Sequence, residues 1–209
     1  MQPFTTVTGP AAPLLRPNID TDVIIRVERL VGTAKAEMGA HAFEIWRRRP
    51  DGTEDPEFVL NREPYRSAPI LLAGPNFGCG SSREGAVWAL AGAGVRAVIA
   101  PSFSDIFANN ALQNGLLPVV LSEQEVAAIA AEMEDAPGNA RVTVDLERCV
   151  VMSPSGAEHP FVIDRARREA LLAGLDDIGL TLRQADAIAS WQKADKRARP
   201  WVWSSAAQR

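Results

Sequence analysis

The chain has 209 residues, 46% of them hydrophobic and 23% charged, which is ordinary globular composition and enough chain to bury one substantial core. Its formal net charge is -4, so it lacks the basic field that nucleic acid or an anionic membrane would attract, and no apolar run approaches the roughly 20 residues of a membrane span. Two cysteines, Cys79 and Cys149, fall short of the three or four ligands that a closed zinc or iron-sulfur site needs, so no metal is expected on this chain.

In chain order, MQPFTTVTGPAAPLL has no basic segment leading into an apolar one, as a secretory signal would, and a cytoplasmic protein is expected. RPNIDTDVII places Asn18, Asp20, Thr21 and Asp22 in a polar turn before a short apolar run. Residues 31–68 are rich in charge, Pro and Gly and read as a long functional loop or a short helix with connections, with Arg47 to Arg49 on a solvated face.

From residue 69 the pattern becomes regular. PILLAG, VRAVIAPSF and LLPVVL read as buried strands, separated by the helical stretches SSREGAVWALAGAG and SDIFANNALQNG. This β-α-β-α-β order predicts a parallel sheet with helical crossovers. Ser81 with Glu84, and more weakly Ser102 with Asp105, fit capping boxes, while Gly92 and Gly115 sit where helices end. SEQEVAAIAAEMED reads as a further amphipathic helix. RVTVDLERCVVM is expected as one strand, paired through SPSG with a second strand in HPFVID. RARREALLAG follows as a helix, GLDDIGL as a loop, and TLRQADAIASWQKADK as a helix capped by Thr181. One domain over residues 1–195 is expected, with a tail over 196–209.

The stretch NFGCGSSREGAVWAL, residues 76 to 90, is a glycine turn between a strand and a helix, where amide N–H groups and the helix dipole favour an anion. A phosphate loop would need a lysine, and none occurs between Lys35 and Lys193. The dinucleotide fingerprint would need glycine where Arg83 stands, and a nucleophile elbow would need glycine at Glu84. Two readings remain on spacing alone. Either Ser81 and Ser82 merely cap the helix with Arg83 at the surface, or two hydroxyls and one guanidinium hold a carboxylate.

FGCGSSRE, together with NIDTD (18 to 22), VRAVIAPSFSDIFANNALQNGLLPV (95 to 119) and LLAGLDDIGLTL (171 to 182), resembles the small subunits of bacterial 3-isopropylmalate dehydratase, relatives of the swivelling domain of aconitase. The resemblance implies an α/β fold of the swivelling β/β/α type that closes over a separate large subunit, the one that bears a 4Fe-4S cluster. It implies interconversion of 2- and 3-isopropylmalate, by loss and readdition of water, in leucine biosynthesis. It casts Ser81 as the catalytic base, and Arg83, Ser82 and Gly80 as substrate-binding residues.

Asp20, Thr21 and Asp22 read either as an Asx turn or as residues orienting substrate. Residues 31 to 45 would form the specificity element. There Met38 and His41 are the residues to watch, although packing and structural roles are the commoner ones for both. Cys79 reads as a small buried packing residue. Two departures stand out: SSREGA has Gly85 where the family has histidine, and IIRV has Arg26 where it has proline. They leave open a paralogous hydro-lyase acting on a methylmalate- or homoaconitate-type diacid. A stand-alone carboxylate- or nucleotide-binding module is the reading from another class.

Overall fold

The computed structural model describes residues 1–81, 83–136 and 138–203, and Ser82 lies outside them. A single extended run opens the chain as β1 (Thr6–Gly9) and, past Pro10, becomes β2 (Ala11–Leu14), giving its first half to one sheet and its second half to another.

The second sheet is parallel, in the order β2, β3 (Ile70–Ala73), β4 (Ala97–Ala100), β5 (Leu117–Val120). Every residue of β3 and β4 is buried, as the continuous apolar runs ILLA and AVIA require of central strands covered on both faces. Pro13 and Pro118 both fall on the edge strands, where a missing N–H costs no ladder bond.

The first sheet is antiparallel, in the order β1, β6 (Val142–Asp145), β7 (Val150–Met152), β8 (Glu158–Pro160). Here the single strand expected over RVTVDLERCVVM is a hairpin. The chain reverses between β6 and β7, with the Asp145 side chain accepting from Arg148 N at 2.9 Å and Cys149 in the left-handed region at φ 54°. The paired strand expected in HPFVID is confined to β8, the third member of this meander.

Helices α1 (Thr21–Ile24) and α2 (Glu44–Arg47) are single turns in the long connection from β2 to β3, which also contains a 3-10 segment, Lys35–His41. Next come α3 (Glu84–Gly92), α4 (Asp105–Gln113) and α5 (Glu123–Asp135). α5 lies across β2, β3 and β4, burying Val126, Ile129, Ala130 and Met133 at helical spacing.

The capping box forms at Ser122 and Glu125 of α5, not at the two places expected. α3 starts after Arg83 with no side-chain cap, because Glu84 instead accepts from Asn114 Nδ2 at 2.8 Å. α4 starts after Ser104, and Ser102 Oγ instead accepts from Asn76 N at 2.8 Å.

Beyond β8 stands α6 (Arg165–Ala173), capped by Asp164 and ended by Gly174. GLDDIGL is not a loop, since Asp176 caps α7 (Asp177–Leu182). Thr181 therefore sits inside α7, donating to Asp177 O at 2.8 Å, and is not the cap of α8 (Ala185–Ala198). α9 (Pro200–Trp203) closes the described chain, and the boundary expected after residue 195 falls within α8.

Candidate functional site

Parallel strands deliver their loops at one end of the sheet, and ligands of open α/β sheets gather there. The segments that follow β2, β3 and β4 stay bonded to one another after the strands end. Asn18 N donates to Pro75 O (2.9 Å), Gly78 N to Ile19 O (2.7 Å), Thr21 N to Cys79 O (2.9 Å), and Phe77 N to Ser102 O (3.0 Å). The side chains of Asn76 and Asn18, both in left-handed conformation, are joined at 2.8 Å.

Beneath this laminate Phe77, Phe103 and Phe107 pack with ring centroids 5.2 to 6.3 Å apart. Gly78, at φ 72°, lies so close to them that a Cβ would stand 2.2 Å from the Phe107 ring. The glycine is thus required twice, by backbone conformation and by space. This aromatic floor is absent from the sequence expectations, although an aromatic recurs after each turn signal in PNFG, PSFS and SDIF.

Gly80, at φ 87°, faces Asp20 and Thr21. Thr21 is 2% exposed, and its hydroxyl donates to Ser81 O at 2.7 Å. Asp20 is the N-cap of α1, accepting from Val23 N at 2.8 Å. Both residues therefore hold the loop. Ser81 itself is exposed, and the amides of Gly80 and Ser81 donate to no other described residue.

Arg83 is mostly buried, with its side chain 18% exposed, and its guanidinium pairs with the Asp22 carboxylate. The pairing is made through Arg83 Nη1 to Asp22 Oδ1. A guanidinium carries five N–H donors in a planar fork, more than one carboxylate engages, so a second carboxylate arriving from outside can be held beside Asp22. Ser81, Arg83, Asp22, Thr21, Asp20 and Gly80 are thus brought together.

The expected specificity residues lie differently. Met38 is 3% exposed within the 3-10 segment packed on α3, where Gly39 and Gly92 meet backbone to backbone. His41 Nδ1 lies 3.6 Å from Glu44, which is held by Arg29 at 2.6 Å and 2.8 Å, so the imidazole belongs to a structural cluster. Hydrogen bonds from Arg29 hold the Glu44 carboxyl below its ordinary value, against the opposing effect of burial. Gly85 is buried, and a Cβ there would stand 2.3 Å from Leu30 Cδ2 and 3.9 Å from Met38 Sδ. Leu30 therefore occupies the space in which a side chain at position 85 would begin.

Cys79 and Cys149 are both free thiols and partly exposed. Among the described residues no three of His, Cys, Asp and Glu are grouped to hold a metal ion.

Fold and loop together define a domain of the aconitase C-terminal type, and the Aconitase C-terminal domain family matches residues 1–124. Residues 127–165 match LeuD_N, and residues 177–202 match the C-terminal domain family of 3-isopropylmalate dehydratase small subunits. The 3-isopropylmalate dehydratase small subunit of Gluconacetobacter diazotrophicus is 53% identical over 203 residues, covering 96% of this chain and 97% of the relative. That of Paramagnetospirillum magneticum is 49% identical over 204 residues, covering 97% of this chain and all of the relative. The crystal structure of 3-isopropylmalate dehydratase (leuD) from Methanocaldococcus jannaschii aligns at a TM-score of 0.64 and 28% identity, over 90% of this chain and 99% of the other. The chain belongs to the 3-isopropylmalate dehydratase small-subunit family.

Proposed function

We propose that this chain is the small subunit of a cytoplasmic hydro-lyase that interconverts 2- and 3-isopropylmalate in leucine biosynthesis, complete only with a larger subunit. The observation that carries the reading is the mostly buried Arg83 guanidinium, paired with Asp22, beside an exposed Ser81 whose amide, like that of Gly80, donates to no other described residue. Together they make a carboxylate grip next to a hydroxyl.

The reaction removes a proton from the carbon next to a carboxylate and expels hydroxide from the neighbouring carbon. An alkene and water result, and water returns with the opposite regiochemistry. Arg83 would hold the carboxylate and Ser81 Oγ would take the proton. A serine oxygen is a strong enough base only when its negative charge is stabilised, a task suited to the amides of Gly80 and Ser81 and the N-terminus of α3. The chain offers no ligand set for an iron-sulfur cluster among its described residues, so departure of the hydroxyl is assigned to the partner and only the base and the grip to this chain.

Ser81→Ala should abolish turnover by the reconstituted pair while leaving assembly intact, and a kcat close to that of the unaltered pair would defeat the assignment. Leu30 filling the space at Gly85 is a specific reason to keep a second substrate in view. A panel of 2-hydroxy diacids decides between them: a kcat/KM far higher for a methylmalate- or homoaconitate-type compound than for isopropylmalate would select the paralogous reading.

A further inference from the structure

No residue from Asp176 to Trp203 is buried in the chain's own fold. Nevertheless α8 is a 14-residue amphipathic helix. At 100° per residue, Ala187, Ile188, Trp191 and Ala194 share one face, and Lys193, Lys196 and Arg197 lie on the opposite one. Ile188 and Trp191 are 37% and 59% exposed, and Ile178 and Leu182 of α7 are 71% and 64% exposed. Among the described residues, substantial packing on α8 comes only from α9, whose Trp203 engages the polar residues Asp195 and Lys196. Isolated helices of this length are marginal in water, so the apolar face needs a cover.

The root of this arm indicates what covers it. Asp177, the first residue of α7, accepts from Gln113 Nε2 at 2.9 Å. The next residue, Asn114, donates to Glu84 at 2.8 Å, and Glu84 follows Arg83. The root of the arm is thus linked, through Gln113, Asn114 and Glu84, to the loop that presents Ser81 and Arg83. A chain completing that site covers the loop to which this root is tied. Residues 177–202 also match the C-terminal domain family of 3-isopropylmalate dehydratase small subunits, so the arm is a part this chain shares with proteins named as small subunits.

We propose that the apolar face of α7 and α8, carried by Ile178, Leu182, Ile188 and Trp191, is a docking surface for the larger subunit. The inference rests on the reading of the chain as a small subunit.

The test uses the full chain. Ile188→Asp and Trp191→Asp, each on an exposed surface, should leave the Tm of the free protein unchanged and weaken binding to the larger subunit by about tenfold or more in Kd. Lys193→Ala, on the opposite face, should bind as the unaltered chain does. Should an aspartate variant misfold, hydrogen exchange on the unaltered chain gives the answer: amides of residues 185–198 should gain protection when the larger subunit is added.

Unchanged Kd values, or no protection, would overturn the inference while leaving the function standing, because Ser81→Ala reports on that separately. The same holds if the variants abolish self-association of the free chain and leave the heteromer intact, since the face would then belong to a second copy. If the unaltered chain binds no larger subunit at all, the functional reading falls with it.

Discussion

Thr21→Val removes one hydroxyl and almost no volume from a residue that is 2% exposed. The lost hydrogen bond, Thr21 Oγ1 to Ser81 O at 2.7 Å, spans 60 residues of chain and ties the loop after β2 to Ser81, the proposed base. A part-buried hydrogen bond of this kind contributes about 0.5–1.5 kcal/mol. For a chain of this size that lowers Tm by roughly 2–5 °C. The larger consequence is kinetic. A loop free to shift by about 1 Å loses up to about 100-fold in rate, so kcat of the reconstituted pair should fall roughly 10- to 100-fold with KM changing little. Thr21→Ser keeps the hydroxyl and should recover most of the loss. Steady-state kinetics on the reconstituted pair, with thermal unfolding of each free variant, makes the comparison. A valine variant with unaltered kcat, or a serine variant as slow as the valine one, would refute the claim that this hydroxyl positions Ser81.

Gly39→Ala places a Cβ 2.1 Å from Gly92 C and 2.6 Å from Ala93 N, both backbone atoms that cannot give way. It should cost about 1–3 kcal/mol and lower Tm by several degrees, and an unchanged melting curve would contradict the packing of the 3-10 segment on α3. Glu44 is held below its ordinary value of 4.5, first by its hydrogen bonds from Arg29. A depressed carboxylate adds stability above its unfolded pKa and loses it as pH falls through the folded value. The unaltered chain should therefore lose more stability than Glu44→Gln between neutral pH and roughly pH 3, measured by urea unfolding at a series of pH values. Parallel curves would show that the Arg29–Glu44 pair contributes nothing.

The parallel half of the fold is legible because central parallel strands are buried on both faces, which forces the unbroken runs ILLA and AVIA between amphipathic helices. The antiparallel half and the edge strand β2 of the parallel sheet are obscure because their signals are weak. β1 and β2 are interrupted by Gly9 and Pro10 and built partly of alanine, and the turn between β6 and β7 bends at Cys149, a residue no turn rule selects. α7 is missed for a related reason: two glycines and two aspartates in GLDDIGL imitate a loop, while one of those aspartates is the cap. Ser81 and Arg83 can be found from one short stretch. Their partners Thr21 and Asp22 cannot be assigned roles in the same way, since local spacing says nothing about a loop sixty residues upstream.

Ser81 and Glu84 show how tertiary contacts override a local motif. Their spacing suits a capping box, yet the Glu84 carboxylate accepts from Asn114 and the Ser81 carbonyl from Thr21, and the helix begins at Glu84. Ahead of the helix the amides of Gly80 and Ser81 donate to no other described residue, whereas a completed capping box would have engaged that of Ser81. Gly85 follows the same logic. In a helix interior glycine costs about 1 kcal/mol against alanine, and here it leaves room for Leu30 to reach within 2.3 Å of the vacant Cβ position. A histidine at 85 would require Leu30 to leave its present rotamer, so if the substrate of this chain differs from isopropylmalate, the difference should be sought in that pair before it is sought in Ser81 or Arg83.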